Sequence, residues 1–488
     1  MTTTPSRPAG EAELQPVKFS RLSRRGVLLG LSGPQLVAAG SGAAILVVAL
    51  YLGETTLPYT APLIAGSAVL ALVRVAGRPI IEWLPLAARW GRRSMTGQLE
   101  YRARISRPRP AGTLALPGDA ARLRQLVDAD TGAVYVHDPH TRTLVAVIGV
   151  AHPAFILLEP ADQQRRIAGW GRVLATACRS GRLACLQVME RTLPASGKGL
   201  TDWWTHRGRF DGSWPSRTYG ELIERAGPAG ERHATTISLA LNLSSAGRSI
   251  QAAGGGMRGA VAVLRQEVET LTAAMRAAEL APSAPLGPGD LALMLRSAYD
   301  PLVASTLERY GELGRDLASA GPVSVAETSG SIRSDSAHHA VLWISEWPRA
   351  HVFPTFLSPV LLSSGVRRTF TMLFTPVRAD IAARDIRKKK TEYLSDAAQR
   401  AKIGQIDDAA QTAEYADVLQ QEADLTAGHG ILRATGLITL SAESPGELER
   451  AVAAIEQAAI QSSCETRRLW GQQAQAFTAA ALPICRAM

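Results

Sequence analysis

The longest runs without a charged side chain lie near the start of the chain. Twenty-eight residues separate Arg25 from Glu54, and nineteen more separate Glu54 from Arg74. Positions 36–52 are almost wholly apolar or small. About 20 such residues carry a helix across a bilayer, because every backbone polar group must be satisfied within the helix there. The pattern predicts a hairpin with spans at about 34–53 and 58–78, joined by the turn 53–56. Pro58 and Pro62 favour a start for the second helix near Pro62, and Arg74 and Arg78 would have to reach back towards the interface. A cleaved secretory leader has a shorter apolar core and is not followed so soon by a second apolar run.

After position 93 the pattern changes to short alternations and long helical periods. Segment 98–105 alternates like a strand until Pro108, Pro110 and Gly112 break it. Segments 133–136 and 143–150 flank a turn at 137–142 and read as a hairpin, followed by a helix over 162–179 and a strand over 184–189. That order is an α+β pattern of the split β-α-β kind. A strand is expected at 236–242. A helix at 259–280 follows from Val261, Leu264, Val268, Leu271 and Met275, spaced by threes and fours. Pro282, Pro285 and Pro288 then read as a linker.

The second half repeats this grammar. Strands are expected at 339–344, 368–374 and 431–440, with helix-competent sequence from 378 to 427 interrupted by Gly404. Ser444 as N-cap and Pro445 at the first helical position open a helix that runs to about 462. The expectation is a membrane-anchored α+β protein with four parts. These are a disordered tail over 1–25, a transmembrane helical hairpin over 26–93, and two cytoplasmic α+β subdomains over 94–285 and 286–488, each with a small antiparallel sheet and long helices.

Charge sharpens the picture. The 488 residues hold 53 Lys+Arg against 43 Asp+Glu, a net of +10. Residues 1–110 hold 14 Arg and Lys against 5 Glu, a net of +9, so the remainder is nearly neutral. Arg21, Arg24 and Arg25 precede the first apolar run, and Arg74, Arg78, Arg89, Arg92 and Arg93 follow the second, with no basic residue in the turn. The bias of basic residues towards the cytoplasmic side orients both termini inwards, in a two-span protein of the cytoplasmic membrane. Trp83 and Trp90 suit the headgroup layer. The four cysteines have no C-x-x-C spacing, in keeping with a reducing compartment.

Recognisable catalytic chemistry is missing. A phosphate-cradling loop needs G-x-x-x-x-G-K-[ST]. At 196–199, Lys198 is followed by Gly199, and the stretch 254–259 has no lysine. No G-x-S-x-G elbow occurs, and the pairs His137/His140 and His338/His339 lack partners at metal-ligand spacing, so no catalytic, cofactor or metal residues are assigned. Arg387, Lys388, Lys389 and Lys390 form the densest cationic run beyond 110. Its bland reading is a solvated helix face balanced by Asp380, Asp385 and Glu392. Its sharper reading is an interaction patch for acidic lipid or a nucleic-acid backbone.

Several short motifs now stand in a suggestive order. Trp347-Pro348 precedes an apolar stretch at 353–362, a strand runs into Pro376-Val377-Arg378, and a long charged helix and another strand lead to Ser444-Pro445-Gly446-Glu447-Leu448. Gln473, Ala476, Phe477, Leu482 and Pro483 close the series. The arrangement resembles the N-terminal, non-motor domain of the conjugation and type IV secretion ATPases. With the apolar hairpin, it is similar to an actinobacterial membrane-protein family in which a two-helix membrane subunit is continuous with that domain and the P-loop motor is a separate protein. The resemblance implies a non-enzymatic assembly component without cofactors. Its implied partners are the lipid bilayer, a separate P-loop secretion or conjugation ATPase, other channel subunits and further copies of itself, with no sequence-specific nucleic-acid binding. The alternatives are a membrane-bound enzyme with an unrecognised site and a membrane tether for DNA. The body's near-neutral charge supplies little of the phosphate affinity a tether needs.

Overall fold

The computed structural model describes residues 31–75, 77–104, 106, 112–114, 116–226, 230–310, 316–348, 350–403, 409–427 and 430–487. Arg21, Arg24 and Arg25, and the tail before them, lie outside these residues. The chain divides at 99/100 into two compact units.

The smaller unit contains α1 (Gly33–Leu52) and α2 (Leu57–Leu72), then the two-residue strands β1 (Arg74–Val75) and β2 (Arg78–Pro79), then α3 (Ile80–Met95). The second helix starts at Leu57 rather than near Pro62. Pro58 takes a first-turn position, where a missing N–H costs nothing, and Pro62 sits inside the helix. It also stops at Leu72 instead of 78, because Arg74 and Arg78 flank a tight antiparallel turn, with Arg74 opposite Pro79 and Val75 opposite Arg78.

The larger unit begins with β3 (Glu100–Arg102), β4 (Arg124–Val127), β5 (Val134–Asp138), β6 (Thr143–Ala151), α4 (Pro160–Arg179) and β7 (Leu183–Pro194). It continues through α5 (Lys198–Arg207), α6 (Trp214–Ala226), β8 (Glu231–Asn242), α7 (Gly247–Ala252), α8 (Gly256–Ala277), β9 (Ala281–Pro285), α9 (Pro288–Tyr299) and α10 (Ala304–Tyr310). The second half comprises β10 (Ser324–Glu327), β11 (Ile332–Ser334), β12 (Ala337–Glu346), α11 (Ser358–Leu361), β13 (Arg367–Val377), α12 (Ala379–Ile403), α13 (Ala409–Thr426), β14 (Ile431–Ala442), α14 (Pro445–Gln461), β15 (Glu465–Arg468) and α15 (Gln473–Ala481).

Two expectations need correction. The body is not two subdomains with small sheets: a single 13-stranded sheet runs β3-β10-β11-β12-β14-β13-β7-β8-β6-β5-β4, with β9 on β6 and β15 on β12. The joint is the antiparallel pair β7–β13, in register from Thr369 opposite Arg191 to Phe374 opposite Leu186. Each of these strands would otherwise present a long unpaired edge, and pairing them satisfies both rows of backbone groups at once. Nor are Pro282, Pro285 and Pro288 a linker. Pro282 and Pro285 lie in β9, which pairs with β6, where proline is tolerated because an edge strand needs donors on one side only. Ser283 Oγ accepts the Gly149 N–H at 3.0 Å and so replaces a ladder bond, while Pro288 opens α9.

Each half is the same device. Strands β6, β7, β8 and β9 lie in the order β9-β6-β8-β7, and β12, β13, β14 and β15 in the order β15-β12-β14-β13. With their crossover helices these are two β-α-β-β-α-β units of ferredoxin-like topology, joined through equivalent strands. The likeness extends to detail: β6 is irregular between Ile148 and Val150, and β12 between Ile344 and Glu346, each where its fourth strand pairs. A helical pair is inserted at the same place in both, α5–α6 between β7 and β8, and α12–α13 between β13 and β14. Because β7 and β13 are antiparallel, the two pairs leave opposite ends of the sheet.

One sheet face is covered half by half, with α4 and α8 over the first and α14 over the second. Gly436 lets this second layer close, since a Cβ there would come within 2.9 Å of the Trp347 ring. The other face holds a core common to both halves, in which Val147, Met189 and Leu291 join Val341, Leu373, Leu437 and Phe477. Helix α15 lies on it. Gln187 Nε2 donates to the Ala479 and Leu482 carbonyls at 3.2 and 3.0 Å, and its Oε1 accepts the Cys485 N–H at 2.7 Å. The closing motif of the sequence is therefore a clasp over the joint: Gln473, Ala476, Phe477, Leu482 and Pro483 are all buried.

Candidate anchoring and docking surfaces

In the smaller unit, Gln35, Ala38, Gly42 and Ala49 form the buried stripe of α1. Their spacing of three, four and seven is that of a left-handed helix pair. Three of the four are small, which lets the two backbones approach closely. Gly42 is the tightest point, for a Cβ there would collide with Ser67 Oγ. Gln35 Nε2 donates to the Ala71 carbonyl at 2.7 Å. The remaining face is apolar and exposed, including Val37, Val47, Leu50 and Leu52. Helix α1 is the one described helix long and apolar enough to cross a membrane, and only 22% of its apolar window is buried. A core helix of a soluble domain would be mostly covered. Helix α2 is shorter, 16 residues or about 24 Å.

Gly42→Leu is expected to separate α1 from α2. With cysteines introduced at Gln35 and Ala71, and the four native cysteines replaced by serine, disulfide cross-linking in membranes should fall severalfold. An unchanged yield would mean that the helices do not meet at Gly42.

Helix α3 shows a segregation that the sequence pattern did not reveal. Glu82, Arg89, Arg92 and Arg93 share one side, while Ile80, Trp83, Leu84, Ala87 and Trp90 share the other, with no residue of the helix buried. Arg74, Arg89 and Arg92 are exposed, and Arg78 and Arg93 are half-buried.

The cationic run lies on α12. Lys388 Nζ is 3.8 Å from Glu392, and Lys390 Nζ is 2.7 Å from Glu422 on α13, a pairing that raises the Lys390 pKa. Arg387 is exposed and Lys389 half-buried, and neither forms an ion pair among the described residues. The run thus splits between helix-pair structure and free surface. The α5–α6 pair carries a second surface, and its exposure was not legible in the sequence. Trp204 is its hub, with ring centroids at 4.9 Å from Tyr219 and 5.5 Å from Phe210. Around it Phe210 and Trp214 stand 66% and 71% exposed. Aromatic side chains so exposed make this a candidate interaction surface.

The buried polar groups are a different matter. His339 lies at 0% exposure with its Nε2 2.7 Å from Ser334 Oγ and its Nδ1 2.8 Å from Ser441 Oγ. Ser334 donates to the Tyr299 carbonyl at 2.5 Å, so each hydrogen has one acceptor if Ser441 donates to Nδ1 and Nε2–H to Ser334. Burial holds the His339 pKa down at about 4. The Phe477 ring packs at 4.8 Å against this neutral imidazole. The serine–histidine contact is a core network in a place no substrate reaches. His338, its neighbour, faces the opposite side of β12 and is half-buried. Among the described residues no group of three His, Cys, Asp or Glu side chains is placed to hold a metal ion. Lys198, in the near-miss phosphate loop, pairs with Asp202 at 2.7 Å.

Compared with protein-family models and with curated proteins, the chain matches none.

Proposed function

We propose that this chain is a membrane-anchored, non-enzymatic platform of a conjugation or type IV secretion-like apparatus, docking a separate P-loop ATPase. The observation that carries the reading is the apolar α1–α2 pair, packed through small residues and bare on its remaining faces, attached to a body whose conspicuous surfaces are helical pairs. In this reading α1 and α2 are the two spans, α2 completing its crossing with the snorkelling Arg74 and Arg78, and α3 lies at the cytoplasmic interface. Both termini are cytoplasmic. The exposed aromatics of α5–α6 and the cations of α12 meet the ATPase, other channel subunits and further copies of the chain. The motif order within 347–483 supports the choice of apparatus.

Deleting residues 33–72 should move the protein from the membrane to the soluble fraction, where carbonate washing extracts it fully. The decisive experiment is affinity capture of the full chain from detergent-solubilised membranes, followed by identification of what accompanies it. A P-loop ATPase recovered with the wild type and lost with Trp214→Ala/Phe210→Ala is the expected result. Recovery of a soluble monomer alone would overturn the reading, and nucleotide hydrolysis by the purified chain would overturn its non-enzymatic part.

A further inference from the structure

The middle of β7 and β8 contains a buried charge that forms no ion pair among the described residues. Arg191 projects from β7 under the roof made by α9 and α10 and is 6% exposed. Its Nη1 donates to the Met294 carbonyl and to Ser297 Oγ, both at 3.1 Å, while its Nε has no partner. The carboxylate next to it in sequence, Glu190, is directed to the opposite sheet face and is held there by His233 at 2.9 Å and Thr235 at 2.5 Å. Burial, together with the nearby Arg232 charge and against a smaller opposing pull from Glu190, lowers the guanidinium pKa to about 10, so it still carries its proton at neutral pH.

A buried guanidinium without a counter-ion costs several kcal/mol, and two neutral hydrogen bonds offset only part of that. The site also has room. Arg191 lines a cavity of about 380 Å³, a volume in the range of small-molecule sites. Thr236 Oγ1, on the same wall, is buried and likewise without a partner. Leu193, Leu286, Leu293 and Leu307 provide the apolar remainder. Three more charged groups border the space. Arg232 and Glu308 pair with each other at 3.2 Å at its rim, and Asp290 stands in the first turn of α9. The lining is formally neutral, two cations against two carboxylates, so the preference for an anion is local to Arg191, and a polyphosphate is disfavoured.

We propose that this cavity binds a small organic monoanion, its carboxylate or other singly charged head against Arg191 and Thr236 and its short apolar body along the leucines of β7 and α9. The head would take the unpartnered Nε and Oγ1 as donors once the two side chains turn to bring these enclosed atoms to the cavity, and the body would displace water from the leucine wall. The site needs neither the membrane anchor nor an ATPase, and so is independent of the platform reading.

The test is titration calorimetry of the full chain in lipid nanodiscs, with empty nanodiscs as reference. The probes are hexanoate and hexyl sulfate, with hexanol and hexylammonium as neutral and oppositely charged controls. One or both anions should bind saturably, and the controls should not. Arg191→Met keeps the volume without the charge, a replacement buried cations usually tolerate. It should weaken anion binding by roughly tenfold to a hundredfold, the scale of a charge-assisted hydrogen bond. Leu293→Trp leaves Arg191 in place and fills the cavity from α9, and it should abolish binding as well. Absence of saturable binding by both anions overturns the proposal, as does equal binding of hexanol or undiminished binding by either variant.

Discussion

Phe477→Ala should destabilise the body by about 3–5 kcal/mol, the range for truncating a fully enclosed aromatic. Phe477 is 1% exposed, and its ring centroid lies 5.1 Å from that of Tyr299 and 4.8 Å from the His339 ring. It packs α15 against α9 and β12, and α15 is tied to β7 through Gln187, so the loss should be felt across the joint and not only at the C-terminus. Urea denaturation of the full chain, followed by hydrogen exchange on β7 and β13, would measure it. Exposed Trp214→Ala serves as the contrast, expected within about 0.5 kcal/mol of wild type. A cost below about 1 kcal/mol for Phe477→Ala would mean that the terminal helix is not the clasp described.

The second large effect is a dependence on acid. His339 titrates near 4 in the folded chain, against about 6.5 when unfolded. Between these values the unfolded chain binds a proton that the folded chain refuses, so stability falls as pH drops through this window and levels off below it. Full stability is present above pH 6.5, and the loss amounts to about 3 kcal/mol by pH 4. Burial lowers the pKa of His137 and His338 too, which adds to the same trend. The difference between wild type and His339→Gln therefore isolates this one group. Denaturant midpoints from pH 7.5 to 4.5 should slope less in the variant, and parallel slopes would remove His339 as the cause.

Much of the local structure could be read directly. The strands expected at 143–150 and 236–242, the threefold and fourfold spacing in α8, and the Ser444–Pro445 helix start all appear where their residues point. Ser444 Oγ accepts the Glu447 N–H at 3.3 Å. The recurrence of strand, helix and strand in both halves was legible as well, but its meaning was not. Which edge strand of one half meets which of the other is a long-range choice, made by registers that leave no local mark. The prolines of β9 misled because proline's usual cost is a lost ladder bond, and here the side chain of Ser283 makes that loss good. Arg191 was silent for a similar reason: nothing in its neighbours along the chain tells that Glu190 will face away and that α9 will close above it.

Two similar units paired through the same strand, antiparallel and with matching insertions, form the arrangement that a symmetric homodimer makes from separate chains. Here both copies are written in one polypeptide. A true dimer must place identical side chains on either side of its axis, whereas two units of one chain are free to differ. One unit can keep an aromatic helical pair and an arginine-lined cavity while the other carries a charged pair and a neutral buried histidine. The joint also fixes the stoichiometry of these two faces at one to one, so any machine built on this chain inherits an inbuilt polarity at every position the chain occupies.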